Sequence, residues 1–140
     1  MQRRYFTITV VSIALLAACG QVAIPEIPTD IGAEFDIDSV LDEVRDCDRI
    51  SETFVAVVSE AADQIDELAG RSGGRVDPPE LREKIEAISV AEYFAIAERI
   101  GCERLQLQAD TLDQLRDLDP GGTDGQELVD TILDGVQEQS

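Results

Sequence analysis

The stretch that decides the fold is "IDSVLDEVRDCDRISETFVAVVSEAADQIDEL", residues 37–68, because apolar side chains recur in it at alternating steps of three and four. The repeat occupies ten positions, of which only Ser51 is polar: Ile37, Val40, Val44, Cys47, Ser51, Phe54, Val58, Ala61, Ile65 and Leu68. This spacing predicts one long helix, from about Asp38 to Ala69, packed against another helix with coiled-coil-like geometry. We expect Asp36 or Asp38 to cap its start and Gly70 to cap its end.

The middle of this segment, Phe54–Val58, reads "FVAVV" and is apolar in every direction. A strand is the alternative for such a β-branched run. The helical spacing continues on both sides, so we favour a helix buried by two neighbours.

The second half of the fold begins after a glycine-containing loop, Arg71–Asp77. The sequence Asp77-Pro78-Pro79-Glu80 has the form of a helix start, and Ser89-Val90-Ala91-Glu92 has the form of another. We expect a short helix to about Ile88, a kink or break at Ser89, and a long helix to about Leu118. The predicted apolar face of the long helix is Phe94, Ala97, Gly101, Leu105, Leu112 and Leu115, widened by Ile96 and Ile100.

A last amphipathic helix follows the turn-forming segment Asp119–Gly125. Its apolar residues are Leu128, Val129, Ile132, Leu133 and Val136. The predicted fold is therefore all-α: an antiparallel hairpin of long helices with a shorter C-terminal helix, in a three- to four-helix bundle.

The N-terminal region has the layout of a secretory signal peptide, residues 1–18. Met1–Arg4 contains two arginines, and Tyr5–Ala18 is uncharged. A membrane-spanning helix needs about 20 apolar residues, and this run is too short for one.

Leu16-Ala17-Ala18-Cys19 resembles the lipobox of bacterial lipoprotein precursors. The resemblance implies cleavage before Cys19, fatty acylation of Cys19, for example with palmitate, and anchoring to the extracytoplasmic face of the bacterial cell membrane. The alternative is ordinary cleavage after Gly20, which would release a soluble protein. We expect residues 19–35 to form a flexible tether that could extend about 50 Å, followed by an acidic helical domain, residues 36–140.

With Cys19 acylated, Cys47 and Cys102 remain as a pair. They lie at nearly equal distances in sequence from the loop Arg71–Asp77, so an antiparallel hairpin folded there would place them at the same level. A disulfide persists in an oxidising compartment. We predict a disulfide between Cys47 and Cys102 in preference to two buried free thiols.

The strongly acidic composition limits the partners. The chain has a net charge of -19, and removal of the signal peptide, which carries Arg3 and Arg4, makes it more acidic still. Nucleic acid is excluded as a partner by charge repulsion. An anionic membrane surface would also repel the domain, so contact with the membrane is expected only through the lipid.

The residues for common catalytic sites are missing. The chain contains no histidine, which excludes histidine-containing triads and histidine metal sites. Asp46 and Asp48 flank Cys47 and disfavour a reactive thiolate there. We find no glycine-rich phosphate loop. We therefore predict no catalytic residues and no cofactor.

The weak candidates for metal binding are Asp117, Asp119, Asp124 and Glu127, in a segment that superficially resembles a calcium-binding loop. The segment departs from the EF-hand pattern at its fifth position, Gly121, and at its twelfth, Leu128. A structural turn capped by Asp124 is the favoured interpretation.

These observations predict a non-catalytic, lipid-anchored envelope protein that binds another protein or organises the surface. The alternative is a carrier of a small apolar or cationic ligand held between helices. Tyr93 and Phe94, near the predicted kink, could line a small apolar pocket, although such residues more often belong to the core.

Overall fold

The computed structural model describes residues 37–139, which form six α-helices and contain no strand. The helices are α1 (Ile37–Leu41), α2 (Cys47–Ser72), α3 (Pro78–Ala87), α4 (Val90–Arg99), α5 (Arg104–Arg116) and α6 (Thr123–Glu138). The predicted all-α bundle with one disulfide is confirmed. Within this described range, every helix is too short or too polar to cross a membrane.

The long helix α2 is the centre of the bundle. It packs most extensively on α6 and next on α5, and it also contacts α1 and α4. In its middle turn, Phe54, Val55, Val57 and Val58 are buried and Ala56 is half-buried. This burial explains why the "FVAVV" segment needs no polar face, and the helix predicted for it is confirmed.

The prediction of one continuous helix from Asp38 to Ala69 is wrong, because the helix breaks between Leu41 and Cys47. Asp46 has extended backbone angles there, and its carboxylate accepts hydrogen bonds from the backbone N–H groups of Asp48 and Arg49 at 2.9 and 3.4 Å. Asp46 is therefore the N-cap at which α2 begins as a separate helix. The break allows α1 to pack against α4, which keeps Ile37 and Val44 buried on the core although the helix does not continue.

The two predicted starts of the second half are confirmed. Pro78 is the first residue of α3, with Asp77 before it in extended conformation. Ser89 caps the start of α4, and its hydroxyl oxygen accepts a hydrogen bond from the N–H of Glu92 at 3.2 Å. The end of α2 differs from the prediction: the helix passes Gly70 and ends at Ser72, followed by a left-handed Gly73.

The predicted long helix from Ser89 to Leu118 is wrong, because α4 ends at Arg99 and α5 begins at Arg104. Gly101 adopts a φ of 91°, and the N–H groups of Gly101 and Cys102 donate to the carbonyls of Glu98 and Ala97. This pair of bonds is the Schellman motif, which ends a helix at a left-handed glycine.

The break also changes the buried face of the second half. Leu105, predicted to face the core, is 67 % exposed. Of the other residues predicted for this face on α5, Leu115 is buried and Leu112 is half-buried. The prediction missed three further buried residues of α5, which are Leu107, Gln108 and Thr111. The chain changes direction between α4 and α5, so the side chains of α5 no longer continue the face of α4. A prediction that extends this face through the break therefore places Leu105 in the core, although it faces solvent.

Tyr93 and Phe94 belong to the core, where both side chains are buried. The Tyr93 ring stacks on Phe54 with centroids 4.1 Å apart. The Tyr93 hydroxyl lies 2.7 Å from Oγ1 of Thr111. Thr111 donates its own proton to the carbonyl of Leu107, so Tyr93 is the donor to Thr111. Burial raises the pKa of Tyr93 well above its usual range, which keeps the phenol protonated.

The start of α6 is held by Asp66, a residue of α2. Its carboxylate accepts hydrogen bonds from the backbone N–H groups of Gly122 and Gly125, each at 2.7 Å. The acceptor that caps α6 thus comes from a neighbouring helix rather than from α6 itself. A β-carbon at position 125 would lie 2.4 Å from Asp66 Oδ2 and 2.9 Å from the Ala62 carbonyl oxygen. This close approach requires glycine.

We predict that Gly125→Ala lowers the free energy of unfolding by about 2 kcal/mol, because the new methyl group forces Asp66 and the backbone of α2 apart. Gly70→Ala is the matched control. Gly70 lies inside α2 with no atom within 4 Å of an added β-carbon, so alanine there should be neutral or stabilising by up to about 1 kcal/mol. Urea denaturation of both variants measures the difference. Equal stability of the two would contradict the role given to Asp66.

Candidate functional site

A groove of about 720 Å³ lies between α3 and α6. Its apolar lining includes Val76 and Leu81, which are mostly buried, and Ile85, which is half-buried. Exposed Arg82 and Glu86 line it on α3, and exposed Glu127 and Thr131 line it on α6. We call this surface the α3–α6 groove. It joins an apolar base to a charged edge.

A second concave surface of about 550 Å³ adjoins the groove on the far side of Glu127 and Thr131, which line both. It is formed by residues 120–123 and by the outer face of α6. Glu127, Asp130 and Asp134 follow one another along this face, and we call them the acidic strip. The sequence of α6 contains five acidic residues and no lysine or arginine, so α6 itself supplies no positive charge to the strip.

Arg75 and Val76 connect the loop before α3 to α6 at the edge of the groove. The guanidinium group of Arg75 contacts Asp124 at 3.2 Å and Glu127 at 3.1 Å. Asp124 is only 2 % exposed and also accepts a hydrogen bond from the N–H of Val76 at 2.7 Å. The loop before α3 is thereby tied to the first turns of α6. The guanidinium is largely exposed, so we assign most of this stabilisation to the buried Asp124–Val76 bond.

The four weak candidates for metal binding do not form one cluster. Asp124 and Glu127 are both engaged by Arg75, whereas Asp117 and Asp119 are exposed at the end of α5. Throughout residues 37–139, no three acidic or cysteine side chains lie close enough together to hold a metal ion. The proposal that Asp124 caps its own turn is wrong as well, because its carboxylate binds Val76 and Arg75 of another segment.

The predicted disulfide between Cys47 and Cys102 is present, with α-carbons 5.5 Å apart. Cys47 is the first residue of α2, and Cys102 lies in the turn between α4 and α5. The chain leaves this end of the bundle along α2 and returns to it through α3 and α4. The two halves have similar lengths, which is why the symmetric spacing predicted the pair although no continuous return helix exists.

The groove is lined by exposed charged groups above an apolar base. Tyr93, whose pKa is raised by burial, is enclosed by Phe54 and Thr111 and does not line the groove. The polar groups of the groove are exposed carboxylates and guanidinium groups. Such groups can bind a charged, partly apolar surface.

No protein-family model matches the chain, and the comparisons with curated proteins and with solved structures find no significant match.

Sequence reasoning missed the groove, because its two walls are distant in the chain. The one local signal was the spacing of Leu81, Ile85 and Ile88, which marks an apolar face on α3. This spacing does not reveal that α6 covers only part of the apolar face and leaves a groove beside it. The proposed lipidation site, Cys19, lies outside the described residues.

We predict that replacing both disulfide cysteines, Cys47→Ala with Cys102→Ala, lowers the free energy of unfolding by up to about 4 kcal/mol. The bond closes a loop with a sequence separation of 55 residues, and the open chain gains that conformational freedom when unfolded. Guanidinium denaturation measures the loss, with Cys19→Ala as the control that leaves the domain unchanged. Labelling of two thiols at Cys47 and Cys102 in the native, unreduced protein would contradict the bond.

Proposed function

We propose that the chain is a non-catalytic, lipid-anchored protein of the bacterial cell envelope whose helical domain binds another protein. The lipobox-like sequence that ends at Cys19 supports the anchor. The disulfide between Cys47 and Cys102 supports an oxidising, extracytoplasmic setting, because such bonds persist there. Residues 19–35, for which the sequence predicts a flexible tether, would leave the domain free to meet a partner away from the lipid surface.

The observation that carries the binding role is the α3–α6 groove. The centre of the bundle is packed, with large side chains such as Tyr93 and Phe54 fully buried. The groove lies outside that centre, at the surface, and combines apolar residues with exposed charges of both signs. Protein interfaces commonly have an apolar centre surrounded by a polar rim.

A second candidate function is the carriage of a small apolar or cationic ligand. The volume of the groove, about 720 Å³, lies within the usual range for ligand pockets. Its position at the surface favours a protein partner, because ligand pockets usually enclose most of their ligand. A bound small molecule in native mass spectra of the cell-derived protein, together with no protein partner at the groove, would favour the carrier.

We predict that cells fed an alkyne analogue of palmitate incorporate it into the chain at Cys19. Cys19→Ala should abolish the label and release the protein from the membrane fraction, because two or three acyl chains provide the anchor. The matched control, Cys47→Ala with Cys102→Ala, removes the other two cysteines and should keep both label and location. A labelled Cys19→Ala protein, or an unlabelled parent chain, would contradict lipid anchoring.

We predict that a photo-crosslinking amino acid at Glu86 or Thr131, on opposite sides of the groove, captures the same partner protein in intact cells. The same amino acid at Leu105 or Ala109 is the control, because both are exposed on α5 and line no part of the groove. Mass spectrometry identifies the captured protein. Equal capture from α5 and from the groove, or capture only from α5, would refute a binding role for the groove.

A further inference from the structure

The groove and the acidic strip form one continuous surface with two chemical characters. Glu127 and Thr131 line both concave surfaces, so the two surfaces meet at these residues of α6. On one side are the apolar Leu81 and Ile85, and on the other are Asp130 and Asp134. A complementary partner has an apolar ridge beside a row of positive charges.

The charge of the domain determines which partner is stable there. Asp130 and Asp134 are exposed, and the side-chain amide of Gln126 is a hydrogen-bond donor to Asp130, at 2.8 Å. That contact leaves the negative charge of the carboxylate in place. Since α6 has no basic residue, lysine or arginine of the partner would supply the missing counter-charge. Acidic or neutral partners gain no such compensation.

A second copy of this chain is a poor occupant for the same reason. Its α6 would bring the same row of carboxylates to the contact, and like charges in opposition weaken an interface. An extended peptide is also disfavoured, because residues 37–139 contain no strand and thus no sheet edge to which it could add. A helix satisfies its own backbone hydrogen bonds and fits lengthwise between two helices.

We infer that the α3–α6 groove and the acidic strip bind a basic amphipathic helix of another protein. This inference rests on the proposed protein-binding function and specifies the chemistry of the partner. Apolar residues of the partner helix occupy the groove beside Leu81 and Ile85. Its lysines or arginines lie along Asp130 and Asp134, while Glu127 keeps its contact with Arg75. The wall formed by α3 is about 15 Å long, which corresponds to roughly three turns of the bound helix.

The test uses the full chain in a nonionic detergent and a synthetic helix of about 18 residues, a length at which helices become stable in water. The peptide carries leucines at steps of three and four and lysines on its other face. A scrambled peptide of the same composition controls for net charge, and a peptide with glutamate in place of lysine controls for its sign. Fluorescence anisotropy gives each dissociation constant, with peptide in empty micelles as the blank.

We expect the amphipathic lysine peptide to bind most tightly, and raising the salt to about 1 M to weaken it strongly. Asp130→Asn with Asp134→Asn should weaken its binding about tenfold. The matched control is Glu103→Gln with Asp110→Asn, two exposed acids at the disulfide end of the bundle. It removes the same charge and should change the affinity by less than about twofold, because salt screens distant charges. Thermal melts check that both variants fold.

Equal binding of the scrambled peptide, or an equal loss in both double variants, would show non-specific attraction and overturn the inference. Tighter binding of the glutamate peptide would also overturn it. Failure of the lysine peptide to bind, together with specific crosslinks at Glu86 and Thr131 in cells, would overturn the partner chemistry and leave the proposed function standing. Failure of both experiments would remove the proposed function itself.

Discussion

The burial of the middle of α2 is the constraint on which the rest of the structure depends. A helix with Phe54, Val57 and Val58 fully buried must be covered by several other helices. The chain provides them by placing α5 and α6 along it and by folding α1 and α4 against its start. A simple pair of helices would cover only one face of α2. The two unpredicted breaks, at residues 42–46 and 100–103, bring the additional helices into place.

The surface of the bundle follows from how α6 is attached to this centre. Asp66 holds the first turn of α6 on α2, and Arg75 with Val76 connects the loop before α3 to Asp124. These contacts set the separation of α3 and α6 at one end. The carboxylates of both connections are buried or half-buried, and the second connection lies at the edge of the groove.

The charge of α6 determines which kind of partner this surface can bind. Acidic residues occur throughout the domain, and the main effect of most exposed acids is to favour solubility. On α6 the acids follow the apolar groove closely enough for one partner to contact both. The acidic strip therefore lies directly beside apolar residues of the groove. The partner that we propose for this surface carries positive charge for that reason.

The sequence by itself determined the helical class, the segments that are buried and the pairing of Cys47 with Cys102. These properties depend on local spacing and on chain length between two points. The repeated positions of residues 37–68 are buried or half-buried even where the helix breaks, because burial there follows the pattern of apolar residues and not the continuity of the backbone. Gly101 did carry a local signal for its break, a glycine after a basic last turn, but the periodicity on both sides concealed it.

Only the tertiary structure decided which helices are neighbours and where the surface remains open. The cap on α6 comes from Asp66, more than fifty residues earlier in the chain, and the groove joins α3 to α6 across a similar distance. No local pattern encodes such contacts, because each depends on the direction in which several helices leave their turns. Leu105 illustrates the physical reason: one change of direction at Gly101 resets the phase of the next helix and moves an apolar residue from the core to the solvent.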